Sequence, residues 1–354
     1  MTDAADPQPP TLRKRPTISD VAANAGTSKG TVSFVINGRP GVAAGTRERI
    51  LAAIDELGFE PSQLARSLSK SRADTVGLML ARNPRALGSD PFFARFIAGV
   101  ESTLAKADYS LLLKFVSDER AEEAVYRKLA SSRQVDGVIL TDLRRHDMRI
   151  ALLSDLGLAA VTLNSPDVPS SHPAVCNDDA PGIREAAAHL IALGHTRIAH
   201  VTGPLEYQHT SMRNALWREH FAAAGAPPIA TVVTDFTAKR GAEATRMLIG
   251  LPPSQRPTAI VFDNDTMAVA GTMAAQGMGL KVPSDLSIIG FDDAELSASV
   301  NPPLTTIQTH PFAWGKCAAQ VLIDVVNGKP PKKPVVRSGA SNLVVRASTA
   351  PAPG

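Results

Sequence analysis

Between residues 17 and 58 the apolar positions recur at helical spacing in three short runs. Ile18, Val21, Ala22 and Ala25 fall on one face of a first helix, broken at Gly26. Val32, Val35 and Ile36 fall on one face of a second, stopped by Asn37-Gly38, and Ile50, Leu51, Ile54 and Leu57 on one face of a third over 45–57, closed by Gly58. Thr17-Ile18-Ser19-Asp20 has the spacing of a capping box, and Ser28 can cap the second helix. Residues 61–72 are basic and Ser-rich with Leu64 and Leu68 four apart, which reads as a linker or as a helix too short to stand alone in water.

From Thr75 the texture changes. Apolar runs at 76–80, 111–115, 135–141, 159–163, 198–202, 231–234, 259–262, 286–289 and 343–345 alternate with helical patterns at 93–107, 121–132, 181–193, 240–249 and 267–276. Such alternation predicts an α/β fold with parallel sheets, and its length predicts two lobes rather than one doubly wound sheet. Residues 1–15 and 349–354 read as loose tails.

Composition adds an asymmetry. The 354 residues carry a formal net charge of only +3, yet residues 11–72 hold ten Lys/Arg against five Asp/Glu, and residues 73–354 hold 27 of each. A basic segment on a neutral body fits a polyanion partner, and equally a solvated charged face. No apolar run approaches the roughly 20 residues of a membrane span, so no membrane partner is expected. The first ten residues lack the hydrophobic region of a secretory signal, and two cysteines without a CxxC make no disulfide framework. These features point to the cytoplasm.

Two short helices joined by Ala25-Gly26-Thr27 form a helix–turn–helix pattern, whose second helix can enter a major groove N-terminus first. Residues 17–37, Thr-Ile-Ser-Asp-Val-Ala-Ala-Asn-Ala-Gly-Thr-Ser-Lys-Gly-Thr-Val-Ser-Phe-Val-Ile-Asn, resemble the DNA-binding head of the lactose/galactose repressor (LacI/GalR) family. Thr46-Arg47-Glu48-Arg49-Ile50, Leu64-Ala65-Arg66-Ser67-Leu68, Val135-Asp136-Gly137-Val138-Ile139-Leu140, Gly290-Phe291-Asp292-Asp293 and Pro303-Leu304-Thr305-Thr306 are similar to further family stretches, so that the likeness runs from about residue 16 to 346.

The resemblance implies a three-helix headpiece at 16–60 and a hinge helix at 61–73. Beyond them, at 74–348, it implies a two-lobed core like that of periplasmic binding proteins, with one lobe at about 74–164 and 308–330 and the other at about 165–300 and 335–348. It implies a ligand-responsive repressor, not an enzyme, acting without a cofactor as a homodimer on double-stranded operator DNA. Lys29, Gly30 and Phe34 stand where the family reads bases. Lys29 can donate to guanine and Phe34 can touch a thymine methyl, while Gly30 has nothing to read with. Thr17, Ser28, Thr31, Ser33 and Asn37 stand where phosphates are held or helices capped. Ala65, Arg66 and Leu68 correspond to the hinge in the minor groove, with Leu68 as the wedge. In the core, Phe93, Asn164, His209, Arg213, Phe236, Asn264 and Asp292 match the effector pocket, whose occupant in the family is a sugar or sugar phosphate, with purines and nucleosides as the other option. Asp263, Asp265, Asp292 and Asp293 invite comparison with a Mg²⁺ site, but strand-end carboxylates more often cap helices or bind ligand. His189, His195 and His200 read as structural, and Cys176 and Cys317 as buried thiols.

Overall fold

A computed structural model describes residues 16–60, 72–81 and 91–353. They divide into two compact units, Met1–Ala73 and Asp74–Gly354. Ala65, Arg66, Leu68 and the expected hinge helix lie outside the described residues.

The first unit contains α1 (Ile18–Asn24), α2 (Lys29–Ile36) and α3 (Ala44–Leu57). The Asp20 carboxylate accepts both the Thr17 backbone N–H and its hydroxyl at 2.7 Å, and Ser28 Oγ accepts the Thr31 N–H at 3.1 Å. Both helix starts thus satisfy N–H or hydroxyl donors locally. Gly58, at φ 58°, closes α3 in the left-handed conformation that suits glycine. Val21, Ala22 and Ala25 meet Val32, Val35, Ile50, Ala53 and Phe59 in one small core. Leu51 departs from expectation. It is 52% exposed, because the buried stripe of α3 runs through Ile50 and Ala53 and Leu51 lies one helical step outside it.

The second unit holds two six-stranded sheets. In chain order the strands of the first are β1 (Thr75–Leu80), β2 (Ser110–Phe115), β3 (Gly137–Leu140), β4 (Ala159–Leu163), β5 (Ala174–Asp178) and β11 (Val335–Ala340). They lie side by side as β11-β5-β4-β3-β1-β2, all parallel. The second sheet runs β12-β10-β9-β8-β6-β7, from β6 (Ile198–Thr202), β7 (Ala230–Val233), β8 (Ala259–Phe262), β9 (Ser287–Phe291), β10 (Thr305–Gln308) and β12 (Asn342–Val344). Only the β10–β12 pair is antiparallel. The helices of this unit are α4 (Pro91–Leu104), α5 (Glu119–Ser131), α6 (Met148–Asp155), α7 (Ala180–Ala192), α8 (Gln208–Ala223), α9 (Ala238–Ile249), α10 (Asp265–Gly277) and α11 (Pro311–Val326).

Helices α4 and α11 approach closely because glycines face each other's backbone. A Cβ on Gly99 would sit 2.1 Å from the Phe312 carbonyl oxygen, and one on Gly315 2.2 Å from that of Phe96. Either would force the two helices apart.

Two expectations need correction. The second lobe does not begin at 165 or regain the chain at 335, because β5 and β11 pair beside β4 in the first sheet. The chain therefore crosses between lobes after β5, after β10 and between β11 and β12. The C-terminal tail is also not loose within its described part. The Ala350 N–H donates to Ser287 Oγ at 3.0 Å and the Ala352 N–H to the Leu193 carbonyl at 2.8 Å.

Candidate functional site

Residues that follow strands of both sheets line one interlobe cleft of about 530 Å³, counted to its open mouth. Thr141 and Asp142 follow β3, Leu163 ends β4, Phe236 lies beyond β7, Asp263 and Asn264 follow β8, and Asp292 follows β9. Carboxyl ends of parallel strands are where α/β sheets gather ligands, since loops there converge on one crevice. Helices supply the remaining wall: Phe92 and Phe93 from the first turn of α4, His209 and Arg213 from α8, and Trp314 from α11.

The walls are aromatic. His209 stacks between Tyr207 and Phe236, with ring centroids at 5.8 and 6.1 Å and planes within 16°. Phe92 stands edge-on to Phe93 at 5.3 Å and to Trp314 at 5.9 Å. Phe236 reaches its place at φ 66°, and a Cβ on Gly203 would lie 2.0 Å from its ring, so the ring rests on bare backbone. Asp142, Asn164 and Asp292 also have positive φ. Side chains in this sparsely populated region persist where surroundings over-determine them, and they cluster at functional sites.

The floor is polar. Arg213 is buried, donates from Nε to Asp179 Oδ2 at 2.7 Å, and holds its guanidinium 3.9 Å over the Phe291 ring. Burial alone would lower its pKa, but Asp179, Asp292 and Asp263 together hold it above the ordinary arginine value. Asp263 is fully enclosed. Burial pushes its carboxyl up, yet His200 Nε2 at 2.8 Å, Arg213 and the Thr202 hydroxyl outweigh that and keep it below the usual carboxylate range. Asp292 accepts the Thr309 hydroxyl at 3.0 Å. Asn264 is committed to structure as well as to the wall: its Oδ1 caps α10 at the Met267 N–H, 2.8 Å, and its Nδ2 donates to the Phe236 carbonyl at 3.0 Å.

Of the seven residues expected here, Phe93, His209, Arg213, Phe236, Asn264 and Asp292 line this cleft. Asn164 lies instead in a neighbouring chamber that shares His209. Phe92, Thr141, Asp142, Leu163 and Trp314 were missed. Four aspartates separate into distinct roles. Asp263 serves His200 and Thr202, and Asp292 serves Thr309. Asp265 takes Thr306, Ser297 and the Ala294 N–H, while Asp293 takes Arg346 and Gln308. Among the described residues no group of three or more His, Cys, Asp or Glu is placed to hold a metal ion. Cys176 and Cys317 are half-buried rather than buried, and burial raises both thiol pKa values.

In the other unit α2 turns Val32 and Val35 into the core and leaves Lys29, Gly30 and Phe34 exposed. Phe34 lies under the Arg39 guanidinium at 5.7 Å, and Asn37 Nδ2 donates to the Ser33 carbonyl at 2.8 Å. Thr17 and Ser28 are exposed at the starts of α1 and α2, with Thr31 and Ser33 half-exposed along α2.

Residues 17–62 match the family model of bacterial regulatory proteins, lacI family, and residues 187–349 match that of the periplasmic binding protein-like domain. The HTH-type transcriptional regulator CelR of Thermobifida fusca is 34% identical over 340 residues, covering 95% of this chain and 99% of that protein. The structure of a transcriptional regulator CelR–cellobiose complex superposes with a TM-score of 0.72 at 32% identity, covering 94% of this chain and all of that one. The lac repressor dimer bound to operator and the anti-inducer ONPF superposes with a TM-score of 0.82 at 28% identity, covering 95% of this chain and all of that one.

Proposed function

The chain belongs to the lacI family of bacterial regulatory proteins, and we propose that it is a cytoplasmic repressor whose DNA affinity is set by a small molecule in the interlobe cleft. Two copies, related by a two-fold axis, place two α2 helices in successive major grooves of a palindromic operator. The observation that carries this reading is the division of α2 into a buried apolar face and an exposed face bearing Lys29, Gly30 and Phe34. Lys29 offers a donor to guanine O6 or N7 and Phe34 an apolar surface to a thymine methyl, so both specify sequence. Thr17, Ser28, Thr31, Ser33 and Asn37 surround them with hydroxyl and amide groups suited to phosphates. Ala65, Arg66 and Leu68 join the proposal from the sequence alone, as minor-groove contacts.

The cleft favours a neutral hydroxylated effector over a phosphorylated one. Its lining carries Asp142, Asp263 and Asp292 against the single cation Arg213. A phosphate entering there would meet net negative charge in a partly desolvated space, whereas sugar hydroxyls can donate to the carboxylates and accept from Arg213. Aromatic rings on two sides suit the apolar faces of a pyranose.

The DNA-binding reading is tested by fluorescence anisotropy on mixed-sequence duplex DNA across a salt series. A headpiece with several phosphate contacts loses affinity by orders of magnitude between about 50 and 200 mM salt. A flat response rejects it.

A further inference from the structure

Helix α2 ends in a turn that brings the chain back over its own exposed face. The Gly38 N–H donates to the Val35 carbonyl at 3.1 Å and the Arg39 N–H to the Phe34 carbonyl at 2.9 Å, with Gly38 at φ 63°. This pair of bonds is a Schellman closure, which sets the second residue past the cap beside the third residue from the helix end. An apolar contact commonly joins those two positions; here they hold Arg39 and Phe34. The Arg39 guanidinium lies 5.7 Å from the centroid of the Phe34 ring, within cation–π range. The Arg39 carbonyl in turn accepts from Arg47 Nη2 of α3 at 3.2 Å. The backbone of Arg39 is thus tied to both helices and its side chain to the ring.

Arg39 is exposed, and its N–H donors meet no acceptor among the described residues. On the face that carries Lys29, Gly30 and Phe34, only Lys29 has a hydrogen-bond donor in its side chain, and an ammonium is a compact point charge. Arg39 supplies what that face lacks, a planar fork of donors matched to guanine O6 and N7. The ring beneath it restricts the side chain before DNA arrives, so less rotamer freedom is lost on contact. A group stacked on Phe34 also lies at the depth of the bases that Phe34 touches, not out at the phosphates.

We propose that Arg39 is a base-reading residue of this headpiece, donating both arms of its guanidinium to a guanine beside the base that Phe34 touches. This rests on α2 being the recognition helix and adds a reader that lies outside it. Ring and guanidinium together then read a two-base step.

The test is selection from a pool of random duplexes by the full-length protein, followed by fluorescence anisotropy on the consensus duplex and its single-base variants. The wild type is expected to fix a guanine in each half-site, preferred at least about fivefold over the other bases. Arg39→Ala is expected to lose that preference and keep the others, with an unchanged headpiece melting temperature because both backbone bonds remain. Arg39→Lys keeps the charge without the fork, so it is expected to retain the salt dependence of the wild type while losing most of the guanine preference. Phe34→Leu keeps an apolar side chain but removes the ring, and is expected to lower the guanine preference about twofold. The same consensus for the wild type and Arg39→Ala overturns the proposal and leaves α2 as the reader. A uniform loss of affinity over all sequences in Arg39→Ala, with a shallower salt slope, also overturns it, by making Arg39 a phosphate contact. Failure of the wild type to enrich any sequence rejects the recognition-helix reading, and the proposal with it.

Discussion

Arg213 ties several parts of the site together: a carboxylate on its Nε, an aromatic face beneath it, and two further aspartates within electrostatic reach. Removing it leaves those carboxylates without their shared cation, which is more disruptive than losing one ligand contact. Arg213→Ala is therefore expected to abolish effector binding by calorimetry, while operator binding in the absence of effector persists because α2 belongs to the other unit. Loss of both activities together would reject that separation. Asp265 gives a pH signature of its own. Burial drives its carboxyl up to about 6, and donors from Thr306, Ser297 and Ala294 offset only part of that. The native state keeps a proton that the unfolded chain releases near pH 4, so between about pH 4 and 6 this group makes stability fall as pH rises. Asp265→Asn is expected to flatten that slope in melting experiments. It also lowers stability by about 1–3 kcal/mol, because an amide NH₂ replaces an acceptor at the Ala294 N–H or the Ser297 hydroxyl.

At the scale of elements, α2 is short, and its start matters disproportionately. Ser28→Ala removes the Thr31 N–H acceptor and is expected to cost about 1 kcal/mol of headpiece stability, with weaker DNA binding. Gly30→Ala runs the other way. A Cβ there meets only Ser28 Oγ at 3.6 Å, so the helix gains up to about 1 kcal/mol, readable as a higher headpiece melting temperature. The three headpiece helices were legible in the sequence because each has a cap and an apolar stripe. So were nine of the twelve core strands as apolar runs. The misses have specific causes. Strands β5, β10 and β11 mix Asn, Asp, Arg, Ser, Thr and Gln with their apolar residues, so no run stands out. Helix α8 buries Thr210, Arg213, Trp217 and Phe221 on one face, and two polar members break the apolar period. Six cleft residues were reachable through family-like motifs, whereas Trp314 and Phe92 arrive from α11 and α4 through packing that no local pattern reports. Asn164 was assigned to the cleft through the resemblance, but just past β4, at a positive φ, it lines the adjoining chamber instead.

For the whole molecule, the dimer is the assembly the proposal needs. Met247, Met273 and Met278 stand exposed on or just beyond α9 and α10, and unpartnered apolar side chains on adjacent helices fit a contact with a second copy. Met273→Glu is expected to shift sedimentation toward monomer and to weaken operator binding far more than effector binding, since one copy reads only half a palindrome. An unchanged sedimentation coefficient would move the interface to another face.

The three chain crossings between lobes have an evolutionary side. The headpiece meets the sensor at one junction in the chain, between Ala73 and Asp74, so a single recombination event can graft a new reading head onto an old sensor. The lobes offer no such seam. Each is sewn from separated stretches of sequence, and exchanging one requires three coordinated breaks. In such a protein operator specificity can be acquired by swapping, whereas a new effector must be reached residue by residue within the lining of the cleft.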